Sequence, residues 1–223
     1  MNFTSSHSDE EPLAPVPGIE LAVGRLRQRP AAVHLVHGHS SVYAGSLLIG
    51  ASTDQAVAVI DGATRFNSYT LARIAATLHR PPEVVLRRTH VTRAFTAFQM
   101  EAAITKKLVR FLETVPCRLV IVLGLLHTYY DEQVTPHECR ESLQRVFDTF
   151  HLLTRNNTHI LVADVSVEMP PPGKETLFQS LSQAADIVIC LNQDGVITQQ
   201  PRILSQQGEL SDGPQQRYLH ARY

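Results

Sequence analysis

Apolar, β-branched runs recur at residues 32–37, 56–61, 89–95, 118–126, 159–165 and 186–191. Each is followed by polar or helix-patterned sequence, and together they predict six strands. Between them, Leu71, Ile74, Ala75 and Leu78 stand three and four residues apart. That spacing predicts a helix with one apolar face, capped by Asn67 or Ser68 and closed by Pro81-Pro82. Met100, Ala103, Ile104, Leu108, Phe111 and Leu112 repeat the pattern over 97–114. A third helix opens at Thr135-Pro136 with Glu138 in its first turn and turns Leu143, Val146, Phe147, Phe150 and Leu153 inward. Residues 119–123 are apolar at every position, as in a central parallel strand covered by helices on both faces. The alternation predicts a three-layer α/β domain with a mostly parallel central sheet. Asp194-Gly195, between 186–191 and 196–199, predicts a C-terminal β-hairpin at one end of that sheet.

The flanks read differently. Residues 1–18 combine Ser, Asp and Glu with three close prolines, which predicts a disordered tail, and 200–223 form a polar C-terminal tail. The core is expected over 19–199. With 20 Lys and Arg against 21 Asp and Glu, there is no global basic field to hold a polyanion, so any nucleic-acid contact has to be local. Three cysteines without C-x-x-C spacing fit a reducing compartment better than a disulfide framework. No apolar run approaches the ~20 residues of a membrane helix, and the expected location is the cytoplasm.

The order of elements and four local strings resemble the ATPase core of the RecA/RadA recombinases. Val59-Ile60-Asp61-Gly62-Ala63-Thr64-Arg65-Phe66 and the helix from Tyr69 to Ile74 are similar to that family's strand, acidic turn and following helix. Thr92-Arg93-Ala94-Phe95-Thr96 resembles its Ala-Arg-Ala-Phe-Asn strand end, and Leu119-Val120-Ile121-Val122 its Walker B strand. The resemblance covers about Gly18 to Leu191 and implies a RecA-like, P-loop NTPase-type core.

The same resemblance implies chemistry that the residues do not supply. A phosphate loop needs G-x-x-x-x-G-K-[ST], whose amides wrap the phosphates while the lysine bridges them and the hydroxyl holds magnesium. Counting from Gly38, the closing Gly, Lys and Thr positions fall on Tyr43, Ala44 and Gly45. A looser register over Gly38, His39, Gly45 and Ser46 still lacks a lysine, and none precedes Lys106. The Walker B aspartate position is Leu123, followed by Gly124, and the water-activating glutamate position is Ala63. Losing a base costs roughly 10² to 10⁴-fold, and losing phosphate-clamp charge costs comparably more. No catalytic residue is therefore assigned, and the alternative requires Glu101, Asp131 or Glu132 to be brought to the pocket from elsewhere. Neither ATP nor magnesium is the expected cofactor. The loop after 159–165, which contacts DNA in the family, is short and proline-stiffened here, and the Phe-x-x-Ala polymerisation segment has no counterpart.

Other clusters have plainer readings. His34, His37 and His39 invite a metal, but only two share a face, so backbone-satisfied histidines are expected; no metal site is assigned. Arg25, Arg27 and Arg29, with Arg87, Arg88 and Arg93, are candidate anion or nucleic-acid contacts if the two groups converge, although no aromatic residues interleave them. Lys106, Lys107 and Arg110 read as a solvated helix face. Tyr129-Tyr130 follows the fourth strand as either a contact surface or packed aromatics. The resemblance with its chemistry removed implies a non-hydrolysing accessory or regulatory subunit in DNA recombination or repair. Its expected partner is a protein such as an active recombinase or repair ATPase, with DNA contact weak or indirect and no membrane. The alternative is a nucleotide-binding switch or weak ATPase using a divergent phosphate loop.

Overall fold

The computed structural model describes residues 30–165, 167, 169–191 and, in backbone alone, 197–201. The expected N-terminal tail, Arg25, Arg27, Arg29, the Asp194-Gly195 turn and 202–223 lie outside the described residues. Seven strands, β1 (Val33–Gly38), β2 (Ala56–Asp61), β3 (Thr89–Arg93), β4 (Cys117–Leu123), β5 (His159–Val165), β6 (Ile187–Leu191) and β7 (Ile197–Pro201), form one sheet. Its order is β3-β2-β4-β5-β1-β6-β7. The first six strands run parallel and β7 pairs antiparallel with β6. All the parallel strands therefore end on one edge.

Both faces are covered. Three helices, α1 (Ser41–Ser52), α2 (Ser68–Thr77) and α3 (Pro82–Arg87), pack Leu47, Ile49, Leu71, Ile74 and Val85 with Val59, Ile121 and Leu161. On the opposite face lie α4 (the continuous rod 97–114), α5 (Pro136–Arg155) and α6 (Leu177–Ala184). They bring Met100, Ile104, Leu143, Phe150 and Leu181 against Leu35, Val120 and Val162. This is the expected three-layer arrangement. Every residue from Val120 to Leu123 is shut off from solvent, which is why that run carries no alternation. Among the described residues, no helix is long and apolar enough to cross a membrane.

Several boundaries moved for identifiable reasons. β4 stops at Leu123 because Gly124 takes a φ of +67° and the chain turns into a short 3₁₀ segment, Leu126–Thr128. β3 stops at Arg93: the Ala94 amide makes the last bond to β2, on the Asp61 carbonyl, and the Phe95 amide is taken by the Gln99 side chain. Pro81-Pro82 do not close α2, which ends when His79 adopts φ +54°; Pro82 instead opens α3, where its missing N–H costs nothing. At α5 the Thr135 hydroxyl accepts from the Glu138 amide while the Glu138 carboxylate accepts from the Thr135 amide, a complete capping box.

The rod α4 solves a problem that its sequence poses. At about 3.6 residues per turn, Lys107 would follow Met100 onto the buried stripe. Residues Ala103–Leu108 instead form a π-helical segment, whose wider turn moves Lys107 outward and lets Leu108 into the core. Deleting Lys107 should therefore return the rod to a plain α-helix with Leu108 still inward, changing stability by less than about 1 kcal/mol. Inserting an alanine after Lys107 should rotate Leu108, Phe111 and Leu112 off the core and cost about 2–5 kcal/mol. Thermal denaturation followed by circular dichroism separates the two, and equal losses from both changes would sink this account of the segment.

Candidate functional site at the carboxyl edge of the sheet

β1 passes into α1 through two residues, His39 and Ser40. Gly38 makes this connection possible. Its φ is +119°, and a Cβ there would stand 2.2 Å from the Leu191 carbonyl oxygen, the same oxygen that accepts the His39 amide at 2.9 Å. A side chain at Gly38 would push β1 away from β6. Helical bonding starts at once, with the Val42 amide on the His39 carbonyl and the Tyr43 amide on the Ser40 carbonyl. Of the residues assigned to the phosphate loop, Gly38 and His39 lie in the strand end and turn, whereas Tyr43, Ala44, Gly45 and Ser46 lie inside α1. Their amides are spent along the helix, and the Ser46 hydroxyl donates back to the Val42 carbonyl at 2.8 Å.

Leu123 and Ala63, to which the resemblance assigns the other two catalytic positions, are held together by main-chain bonds. The Leu123 carbonyl accepts the amides of Gly62 at 2.8 Å and Ala63 at 3.3 Å, and the Gly124 amide donates to the Ala163 carbonyl at 2.8 Å. A Cβ on Gly124 would come within 2.3 Å of the Ala63 Cβ. Leu123 itself points into the core. Tested as a magnesium-nucleotide site, these residues do not fit: among the described residues the edge has no open loop of amides, its one lysine, Lys174, is spent on the Tyr129 and Asp131 carbonyls, and Leu123 and Ala63 carry no carboxylate. The residues that could substitute are engaged elsewhere. Glu101 receives Arg145 through two bonds of 2.7 and 3.0 Å, which hold its carboxyl below the usual range. The Asp131 side chain accepts the Gln133 amide, and Glu132 is exposed.

Three buried charged groups, Asp61, Asp164 and Lys174, organise this edge. Asp61 accepts the amides of Arg65 and Phe66 at 2.9 and 3.0 Å and faces the Arg93 guanidinium at 3.7 Å. Asp164 accepts the amides of Leu126 and Val165. Burial pushes its carboxyl up to about 7 against those two bonds, and among the described residues it forms no ion pair. Lys174, only 2 % exposed, donates to the carbonyls of Tyr129 and Asp131 and so fastens the segment after β5 to the loop after β4. Tyr43 reaches the same region: burial and then the Asp164 charge push its hydroxyl up to about 12, while the Arg65 guanidinium lies 5.9 Å from its ring.

The remaining candidates separate. His34 faces His159 at 5.9 Å between rings, and His37 meets Phe178 edge-on at 4.9 Å, so the two lie on opposite faces of the sheet. Among the described residues, no three His, Cys, Asp or Glu could hold a metal. Arg88 is tied to the Ala51 carbonyl and, with Arg87, precedes the amino end of β3, a strand about 13 Å long that ends at Arg93. The described arginines therefore do not converge. The expectation that no aromatics accompany them fails in space, however, because Phe95 and Tyr69 lie on the two segments joined at Arg93 and Asp61. Tyr129 is fully buried, its hydroxyl 2.9 Å from Ser142 Oγ, so this loop contributes to the core. A groove of about 760 Å³ opens at the opposite edge, between the amino ends of β2 and β4 and the end of α5.

Because the Asp164 carboxyl is raised above its ordinary range, its contribution to stability is full below about pH 4 and is lost as pH rises to about 7. Relative to the parent, Asp164→Asn should therefore gain roughly 2–3 kcal/mol of stability between pH 5 and pH 8. Chemical denaturation at the two pH values measures this; a difference that does not change with pH would remove Asp164 as the titrating group.

No protein-family model matches the chain, and no curated protein sequence matches it. Among solved structures it is similar to the crystal structure of the RadB recombinase, with a TM-score of 0.59 and 19 % identity, over 76 % of this chain and 80 % of that one. The chain thus has the RecA-like α/β fold.

Proposed function

We propose that this protein is a non-hydrolysing, RecA-like accessory or regulatory subunit that works by binding, with an active recombinase or repair ATPase in the cytoplasm as its partner. The observation that carries this reading is the two-residue passage from β1 to α1, which leaves no loop of free amides where the fold would hold a nucleotide's phosphates. The absence of lysine, aspartate and glutamate from the corresponding positions supports it, as does the fastening of the loop after β4 by Asp164 and Lys174. The step to recombination or repair follows the fold it shares with RadB recombinase and is an analogy of fold.

Magnesium ATP or ADP at millimolar concentration should leave the melting temperature unchanged, both in the parent and in Tyr43→Ala, whereas a ligand at a hundred times its Kd stabilises by about 2.7 kcal/mol. Affinity capture from the source lysate should recover a recombination or repair ATPase. A saturable shift with nucleotide would replace this reading with the nucleotide switch.

A further inference from the structure

At the amino edge of the sheet, the groove of about 760 Å³ runs past the starts of β2, β4 and β5. Two inter-strand steps of ~4.8 Å make this run about 10 Å long, the length of about three extended residues. Its floor is apolar: Cys117 and Leu153 are buried, and Ala56 and Leu112 pack on the core beneath. The Cys117 thiol donates to the Leu119 carbonyl and burial pushes it up, so it belongs to the floor and is no nucleophile. The rim is polar. Arg118 reaches it through an irregularity in the strand pairing: where β2 steps from Ala56 to Val57, β4 steps from Cys117 to Leu119, so Arg118 is an extra residue and stands exposed. Such bulges are rare between parallel strands and re-aim a side chain. Asn156 and Asn157 turn the chain from α5 into β5, with Asn157 at a φ of +63°. Among the described residues, the side chains of Gln55, Arg118, Asn156 and Asn157 enter no hydrogen bond or ion pair.

A carboxamide donates and accepts at once, as each unit of a peptide main chain does. Three of them along an open groove therefore match an extended chain better than a small ligand, which a pocket encloses on most sides. The charges around the groove do not cancel. Asp54 already faces two guanidiniums, Arg80 at 2.7 Å and Arg88 at 3.9 Å. With Arg118, three guanidiniums stand against the two carboxylates of Asp54 and Glu113, so an acidic ligand is favoured over a basic one. We propose that this groove docks an extended, acidic segment of a protein partner. Its main chain lies on the carboxamides of Gln55, Asn156 and Asn157, an apolar side chain enters the floor over Leu112 and Leu153, and a neighbouring Asp or Glu meets Arg118. The inference rests on the accessory reading for the partner's being a protein, and it adds the surface and the chemistry of the segment.

Panning a phage-displayed library of random short peptides against the full chain tests it, with the enriched sequence then made as a fluorescein-labelled peptide and titrated by anisotropy. Enriched sequences should pair an apolar residue with Asp or Glu. Arg118→Glu should weaken the labelled peptide by at least about tenfold, as should replacing the peptide's acidic residue with Lys. Asn157→Gly, which keeps the left-handed turn and removes the carboxamide, should weaken it about fivefold, and so should methylating the amide of the peptide's apolar residue. Arg140→Glu, exposed at the other end of α5, should bind as the parent does. The substituted side chains are exposed, and circular dichroism verifies that the variants are folded. No enriched sequence, enriched sequences without an acidic residue, or unchanged binding by Arg118→Glu would each overturn the proposal. A dimer of the parent that Arg118→Glu dissolves, with no peptide enriched, would instead give the groove to a second copy of the chain. Recovery of a recombination or repair ATPase by the parent and by Arg118→Glu alike would overturn this surface and leave the accessory role standing. A saturable thermal shift with nucleotide would remove that role while the peptide titration still reads the groove.

Discussion

The structure depends on how the carboxyl ends of the parallel strands are closed. Main-chain bonds join β2 to β4 through Gly62 and Leu123, β4 to β5 through Gly124 and Ala163, and β1 to β6 through His39 and Leu191. Glycine stands at Gly38, Gly62 and Gly124, where a Cβ would fall 2.2–2.4 Å from a neighbouring atom. In an open α/β sheet this edge is where ligands ordinarily enter. Here Asp61 and Asp164 are spent on turn amides, and the Asp164 charge acts on the Tyr43 hydroxyl.

The charges inside follow from that closure. An unpaired buried carboxylate is costly, and Asp164 meets the cost by taking two amide donors and by holding its proton more tightly. Asp61 meets it with two amides and a guanidinium, and in doing so ties the turn after β2 to the end of β3. Among the described residues Lys174 has no carboxylate partner and uses two backbone carbonyls instead, which holds the loops after β4 and β5 together. Each buried ion therefore does double duty as a crosslink between segments far apart in sequence.

The same crosslinks shape the surface. With Asp61 holding 64–69 beside 93–98, the aromatic rings of these segments have no interior left to enter, because Leu71, Ile74, Ala97 and Met100 already fill it. Their exposure results from the way the core is filled. It leaves Tyr69, Phe95 and Phe98 exposed on the segments that follow the carboxyl ends of β2 and β3.

The strands, α2, α4 and α5 were legible in the sequence because strand and helix periodicity and capping residues are local: Asn67, the stripe from Met100 and the Thr135–Glu138 box act within a few residues of themselves. Also legible was that Leu123 and Ala63 have no side-chain group that could bind a metal or take a proton. α1 was hidden, since it is buried on nearly every side and shows no period that would set it apart from a loop rich in Gly and Ser. The π segment was hidden too, because the position of Lys107 conflicts with the helix only once the core on the other side is known. Tertiary structure alone decided that Asp61, Asp164 and Lys174 would be structural ions, that the described arginines would stay apart, and that Tyr69, Phe95 and Phe98 would share a corner. Each of these depends on which strand lies beside which, and sheet order is set by packing between segments that no local pattern connects.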